Sequence, residues 1–362
     1  MDNKVICFFN SAKSWGGGEK WHFDIATRLH NKGYKIIVIT NKQSELFKRL
    51  LNTGIKTFPI KISNYSFLNP IKKRQVLNIL RQEKVSTIII NLPSDLKVAA
   101  RAAKVAGVKK TIYRRGSAIP IKNKLLNRII FKKYIDEIIA NSEATKRTIL
   151  SNNPNLFNID KIRVIYNGII LDDIENNHCT NIYQKKDNEI IIGNAGRFVK
   201  QKNHKCLINL AVELKKRDIN FKMLLAGTGK LKADIMGLAI KMQVDDKIIF
   251  PGFIEDIGSF MKCIDIYILP SLWEGFGYII VEAMINEIPV IAFDLSSNPE
   301  IIDNNKTGFL VEEDNLEEMI QKINLFIQNP NLLKEMGKEG KKRVYNLFTI
   351  DRTVEEVEKI IA

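Results

Sequence analysis

The stretch Pro270-Ser271-Leu272-Trp273-Glu274-Gly275-Phe276-Gly277-Tyr278-Ile279-Ile280-Val281-Glu282-Ala283-Met284 decides how this chain is read. Before it, Cys263–Leu269 is an apolar run of the length of one buried strand. Pro270 ends that strand because proline has no N–H to give a ladder. After it, residues from Ile279 to about Asn286 favour a helix. Gly275 and Gly277 then bring backbone amides to the start of that helix, where orphan donors and partial positive charge collect and an anion is well placed. Glu274 falls in the loop at the strand's carboxyl edge, and Glu282 about two turns into the helix. Two carboxylates so placed can address two ends of one ligand, with its phosphates between them. The plainer reading is a strand, a turn and a helix with two solvated glutamates, and from Glu-Gly-Phe-Gly alone it stays the favourite.

Around this stretch lies a series of apolar runs with the spacing of a second parallel sheet, at Ile190–Asn194, Phe221–Ala226, Lys247–Phe250, Cys263–Leu269 and Pro289–Phe293. Gly196-Arg197-Phe198-Val199-Lys200-Gln201-Lys202-Asn203-His204 follows the first of them, at the edge where open α/β sheets bind ligands. Arg197 offers a rigid fork and Lys202 a mobile point charge, a pair suited to a diphosphate. Two surface cations after a strand are common, and that reading stays open.

The first half repeats the alternation. Strands are expected at Lys4–Asn10, Tyr34–Thr40, Lys56–Ile60, Thr87–Asn91, Lys110–Tyr113, Glu137–Ala140 and Ile162–Ile165. Helices are expected at Pro70–Glu83, Ser94–Val105 and Asn123–Tyr134, with one after Trp15-Gly16-Gly17-Gly18-Glu19 closed by Gly33. Ser142 is placed to cap a further helix. A strand, a glycine loop, a helix and a strand open a doubly wound sheet. The loop has neither a Gly-x-Gly-x-x-Gly nor the Lys-Ser/Thr of a P-loop, so NAD and ATP readings are weak. Three glycines by themselves make only a tight turn. Asp172–Asn188 is a polar stretch that reads as a linker.

A chain of 362 residues is long for one core and suits two domains. Its 45% hydrophobic content excludes a disordered chain. No apolar run has the length of a membrane span, and Met1–Asn10 lacks the architecture of a signal peptide. Cys7, Cys179, Cys206 and Cys263 show no paired spacing, so neither a disulfide framework nor a zinc site is expected, in keeping with a reducing cytoplasm. The four histidines have no metal spacing, and there is no Asp-x-Asp. The net charge of +16 is uneven: residues 1–170 hold 32 Lys/Arg against 10 Asp/Glu, and residues 171–362 hold 24 against 30. Such asymmetry points to an anionic partner for the first half, whether membrane surface, nucleic acid or acidic substrate. A generally Lys-rich composition is the plainer account.

Glu274 and Glu282, with seven residues between them, resemble the E-x7-E motif of the retaining, GT4-like glycosyltransferases of the GT-B fold. Gly196–His204, Ala226-Gly227-Thr228-Gly229, Phe250-Pro251-Gly252-Phe253, Asn298-Pro299-Glu300-Ile301-Ile302 and Thr307-Gly308-Phe309-Leu310 are similar to further segments of that family. So are Asn141-Ser142-Glu143 and Asn167-Gly168-Ile169 in the first half. The resemblance implies two facing α/β Rossmann-like domains with the active site in the cleft. These are an acceptor-binding domain over 1–170, a linker over 171–188, a nucleotide-sugar domain over 189–340, and a C-terminal helix over 341–362 packing back on the first domain.

The resemblance also implies roles. Arg197 and Lys202 bind the donor diphosphate, Glu274 the sugar hydroxyls, and Glu282 the ribose. Gly275, Phe276 and Gly277 line the donor, Phe253 lies near the base, and Gly17 and Gly18 approach the phosphates. Glu19 and Lys20 fall to a glycan or lipid-linked acceptor, and Arg114 and Arg115, where the chain departs from the family, are expected to contact an anionic group on acceptor or donor. Many members carry a His where this chain reads Tyr113-Arg114-Arg115-Gly116, and the usual earlier His is replaced by Asn91-Leu92-Pro93-Ser94-Asp95. No metal or cofactor is implied, the nucleotide sugar being a substrate. The expected activity is sugar transfer with retention in lipopolysaccharide or polysaccharide synthesis, by a cytoplasmic enzyme peripheral to an anionic membrane. Alternatives are a nucleotide-sugar epimerase on the same fold, and a non-catalytic basic module binding membrane or nucleic acid.

Overall fold

The computed structural model describes residues 4–171 and 182–361. The chain divides into two compact units, Met1–Gly168 with Ile350–Ala362, and Ile169–Thr349.

The first unit runs β1 (Val5–Asn10), α1 (Gly17–Asn31), β2 (Lys35–Thr40), α2 (Glu45–Leu50), β3 (Lys56–Pro59), α3 (Pro70–Gln82), β4 (Val85–Ile90), α4 (Pro93–Ala106), β5 (Lys110–Arg115), α5 (Leu125–Tyr134), β6 (Glu137–Ala140), α6 (Glu143–Leu150) and β7 (Ile162–Val164). Its seven strands are parallel in the order β3-β2-β1-β4-β5-β6-β7. Phe8 and Phe9, and Ile88, Ile89 and Ile90, are fully buried although neighbours along a strand point to opposite faces. Helices therefore cover both sides, which is why these strands are continuous apolar runs. Boundaries follow local chemistry. Gly33, at φ +91°, and Gly107, at φ +81°, stop α1 and α4 in the left-handed region. The Ser142 hydroxyl accepts from the Thr145 amide to start α6.

The second unit holds β8 (Ile190–Ala195), α7 (His204–Lys216), β9 (Phe221–Ala226), α8 (Lys232–Lys241), β10 (Ile248–Gly252), α9 (Ile257–Met261), β11 (Ile266–Leu269), α10 (Tyr278–Ile285), β12 (Val290–Phe293), α11 (Asn298–Ile301), β13 (Gly308–Val311), α12 (Leu316–Gln328) and α13 (Pro330–Leu347). The six strands are parallel in the order β10-β9-β8-β11-β12-β13. In each sheet the strand order reverses at one point, between β1 and β4 and between β8 and β11. Loops leaving such neighbouring strands diverge to opposite faces and leave a crevice at the carboxyl edge.

The expected C-terminal helix over 341–362 is corrected. Residues up to Leu347 finish α13 within the second unit, and a separate α14 (Ile350–Ile361) belongs to the first. The break has a cause: the Phe348 carbonyl accepts from the Ile169 amide at 2.9 Å, and Ile169 pairs with Thr349 in a β-bridge. Backbone held in that bridge cannot continue the helical ladder. Helix α14 packs on α1, with Val354, Val357, Ile360 and Ile361 buried and Arg28–Asp351 and Lys32–Glu358 as ion pairs. The second unit also reaches beyond the expected 189–340 at both ends. Of the expected linker, 172–181 lies outside the described residues, while Lys185 pairs with Asp265 of the second unit. Among the described residues, Cys7 and Cys206 are free. Among the described residues no helix is long and apolar enough to cross a membrane.

Candidate active site

Two of the residues singled out in the second unit, Lys202 and Glu274, meet at its switch point. Lys202, after β8, places Nζ 2.7 Å from Oε1 of Glu274, after β11. Only 15% and 10% of the two side chains are exposed, so the charges neutralise each other in a sheltered place. Backbone stitches the two loops together. The Leu272 amide donates to the Gln201 carbonyl at 2.9 Å, and Gln201 Nε2 to the Trp273 carbonyl at 2.7 Å. The Glu274 carbonyl accepts from Ser296 Oγ at 2.5 Å, tying in the loop after β12.

Glycines permit the crowding beneath this pair. A Cβ on Gly227, at φ +131°, would lie 1.9 Å from the Gly196 carbonyl oxygen. Gly196 itself lies under the Lys202 stem, 3.3 Å from Cε for an added Cβ. Tyr267, in β11, joins its hydroxyl to the Ala195 amide and carbonyl at 3.0 Å each. Burial pushes this phenol up, and the negative charges of Glu274 and Glu282 add to the shift. Both carboxylates thus act on one buried hydroxyl below the edge. His204 stacks on Phe198, centroids 4.0 Å apart, and burial followed by the charge of Lys202 lowers its pKa to about 4. It is neutral at pH 7 and leaves the cationic work to its neighbours.

Several expectations change in detail. Helix α10 begins at Tyr278 with Gly277 as its cap, so Glu282 is one turn into the helix, not two, because Glu274–Phe276 is not helical. Phe276 is buried against Tyr278 and Phe348, edge-on to each at 5.6 Å, so its ring serves the core and only its backbone can line a donor. Arg197 is exposed, and Phe253 is 71% exposed after β10.

In the first unit the glycines expected in a loop form the first turn of α1: Gly16 is the cap, and Gly17 and Gly18 are the first helical residues. A Cβ on Gly18 would come 2.8 Å from Asn91 Nδ2, so α1 enters close against the loop after β4. Glu19 is buried and accepts from Asn10 Nδ2 at 3.1 Å. Lys20, about 100° further round the helix, pairs with Asp24 at 3.3 Å.

Arg114 departs most from its expected role as an acceptor ligand. It is 2% exposed. Nη1 donates to Asn91 Oδ1 at 3.1 Å, Nη2 to Asn167 Oδ1 at 2.9 Å, and the guanidinium lies 4.8 Å from the Trp21 ring. The fork therefore clamps the exits of β4 and β7 to α1. Burial and this positive charge hold His22 well below its ordinary pKa. Arg115 turns to the Ile119 carbonyl at 2.6 Å. Beside them Asp95, fully buried, accepts from the Ser11 amide at 2.8 Å and from its hydroxyl. Burial pushes Asp95 up to about 7, with the Ser11 bonds opposing. Sequence reading assigned no role to Ser11, Asn91, Asp95 or Asn167. The available signal was a polar residue directly after a buried strand, Ser11 after β1 and Asn91 after β4; Asn167 lies three residues beyond β7 and Asp95 inside α4.

The sequence matches the family described as Glycosyltransferase Family 4 over residues 15–173, and Glycosyl transferases group 1 over residues 178–343. The two matches meet near the boundary between the units, and the second takes in the loops that carry Lys202 and Glu274. The chain belongs to the group 1, GT4-like glycosyltransferases. This glycosyltransferase is 23% identical over 368 residues to an uncharacterized glycosyltransferase of Haemophilus influenzae, covering 99% of each chain. It is also 23% identical over 351 residues to the UDP-Gal:alpha-D-GlcNAc-diphosphoundecaprenol alpha-1,3-galactosyltransferase of Escherichia coli, covering 92% of this chain and 90% of that one. Among solved structures, Anabaena HepE in complex with UDP and glucose superposes with a TM-score of 0.82 at 19% identity, covering 98% of each chain. That likeness gives the glycosyltransferase the GT-B fold, two Rossmann-like domains in one chain.

Proposed function

We propose that the enzyme transfers a sugar from a nucleotide-sugar donor to an anionic glycan or lipid-linked acceptor, with retention of anomeric configuration and without a metal. The observation that carries this reading is the sheltered Lys202–Glu274 pair at the switch point, one loop away from the start of α10. A diphosphate at that edge meets Lys202, the Arg197 fork and the helix N-terminus, and these stabilise the charge that grows on the leaving group. Glu274 shares Lys202 with the phosphates and accepts from sugar hydroxyls through its remaining oxygen lone pairs. Glu282, a turn further on, holds the ribose. With this positive charge in place, the leaving phosphate takes the acceptor proton and no metal is called for.

The relatives support the donor and acceptor classes. The E. coli enzyme's name carries a UDP sugar and a lipid diphosphate, and HepE was crystallised with UDP and glucose. A polyanionic acceptor on the cytoplasmic face of a membrane also suits the excess of 32 Lys/Arg over 10 Asp/Glu in residues 1–170.

A thermal-shift screen against UDP-, GDP-, ADP- and CMP-sugars, followed by assay of nucleoside diphosphate release with and without acceptor, tests the proposal. A stabilising donor and acceptor-dependent release support it. Sugar isomerisation with no diphosphate released would transfer the site to an epimerase, and no response to any donor would end the reading.

A further inference from the structure

Helix α5 does not bury the face its sequence offers. Of its apolar residues only Ile130 and Phe131 are buried, Phe131 edge-on to Tyr113 at 5.7 Å. Leu125 is 72% exposed, and Ile129 and Leu126 are about one-third exposed, at 37% and 36%. Ile119, in the preceding loop, is 46% exposed. Single exposed leucines are ordinary, but four aliphatic side chains within eleven residues at one helix start are not. Lys122, Lys124, Arg128, Lys132 and Lys133 are exposed among them, with stems long enough to lie along apolar surface while the charges stay at its rim.

The segment is held in place. Asn127 Nδ2 donates to the Lys122 carbonyl at 2.7 Å, Arg128 Nε to Asn123 Oδ1 at 2.8 Å, and Asn152 Nδ2 to the Ile121 carbonyl at 3.2 Å. A second group, Tyr65, Leu68 and Ile71, is exposed by 77%, 67% and 74% where α3 begins. Helices α3, α4 and α5 pack side by side, and each follows a strand of the parallel sheet. Both apolar groups therefore lie at the carboxyl edge of one helical layer.

The charge of that layer is one-sided. Residues 61–135 contain 18 Lys/Arg and two acids, Glu83 and Asp95, a net of +16 that equals the net charge of the whole chain. Glu83 is taken by Lys56 at 2.7 Å, and Asp95 is buried under Ser11. Residues 96–135, which include α5 and the loop before it, contain no acid.

We propose that the start of α5, with the loop from Ile119, is a docking surface for an anionic phospholipid bilayer, the aliphatic side chains entering the interface and the cations meeting the headgroups. A soluble polyanion would use the cations but has nothing for the aliphatic centre. A nucleic acid would call for stacking side chains, and none of the four is aromatic. An apolar centre with a basic rim matches a lipid interface. The proposal deepens the lipid-linked acceptor reading by naming where the enzyme would rest to reach it.

The test is co-sedimentation of the full chain with vesicles of phosphatidylcholine alone and with 30% phosphatidylglycerol, at 0.05 and 0.5 M salt. Binding to the anionic vesicles at low salt, weakened at high salt, is expected. Lys122→Glu/Lys124→Glu/Arg128→Glu should lower the partition coefficient tenfold or more, and Leu125→Ser/Ile129→Ser severalfold, both with unchanged circular dichroism. Lys338→Glu/Lys342→Glu, on α13, should not alter it. Absence of pelleting overturns the proposal. So does pelleting indifferent to Leu125→Ser/Ile129→Ser, which would mark a polyanion site. Thermal shifts by UDP-, GDP- and ADP-sugars on the same proteins read the donor site separately, so docking and sugar transfer can fail independently.

Discussion

Lys202 Nζ and Glu274 Oε1, 72 residues apart in the chain, lie 2.7 Å apart in a place nearly closed to solvent. Removing one member of such a pair strands the other charge, which costs on the order of 3 kcal/mol. Lys202→Ala should therefore lose stability as well as turnover, the latter by roughly 10²-fold. Arg197→Ala should lose comparable turnover but less than about 0.5 kcal/mol of stability, because Arg197 is exposed. Lys202→Ala/Glu274→Ala should be more stable than Lys202→Ala alone. Urea denaturation and steady-state rates on the three variants decide the matter, and a Lys202→Ala protein as stable as the wild type would deny the pair any structural part.

Glu282→Ala should weaken binding of the free nucleoside diphosphate as well as the donor, whereas Glu274→Ala should impair use of the sugar and leave nucleotide affinity largely intact. Calorimetry with the diphosphate identified by the donor screen separates the two. Equal losses of affinity would mean that the carboxylates do not divide the ligand between them.

Asp95 should make stability fall as pH rises. Its folded pKa is raised to about 7 by burial, above the usual unfolded value near 4, so between those limits the folded state binds the extra proton. The unfavourable contribution is absent below about pH 4, grows through the window, and is complete above about pH 7, at up to roughly 4 kcal/mol. Asp95→Asn keeps an acceptor for the Ser11 amide and should flatten this slope. Denaturation midpoints at pH 4.5, 6 and 7.5 measure it, and parallel slopes in the two proteins would contradict the assignment.

Arg114→Lys keeps the charge but not the fork, so one ammonium cannot span Asn91 and Asn167 as the guanidinium does. A loss of about 1–3 kcal/mol is expected, accompanied by a raised KM for acceptor as the edge loosens. A raised KM with wild-type stability would instead restore Arg114 to direct contact with the acceptor.

The sequence made the sheets legible because buried parallel strands are uninterrupted apolar runs, and β6 and β9 start and stop where those runs do. Gly33, Ser142 and Pro270 punctuate the elements through local backbone chemistry, so they too could be read one at a time. Helix α2, six residues long, offered too short a period to notice. The α13–α14 break depends on Ile169, far away in the chain, and no local signal marks it. Arg114 shows the same limit at the site. A cation at the end of a strand reads as a ligand contact, and only the fold brings Asn167, 53 residues on, and Trp21 around it.

Helix α14 has a consequence for the order in which the ribosome delivers the parts. The second unit is one continuous segment, Ile169–Thr349, whereas the first needs residues from both ends of the chain. The domain begun first is thus completed last, after its younger neighbour has been fully translated. Until Ile350–Ile361 emerges, the face of α1 that receives Val354, Val357 and Ile360 has no cover. A nascent chain halted near residue 349 would carry a finished second unit and an unfinished first unit with apolar surface open to chaperones and proteases. An incomplete copy is thereby set apart from a finished one by a single uncovered helix face rather than by a missing sheet.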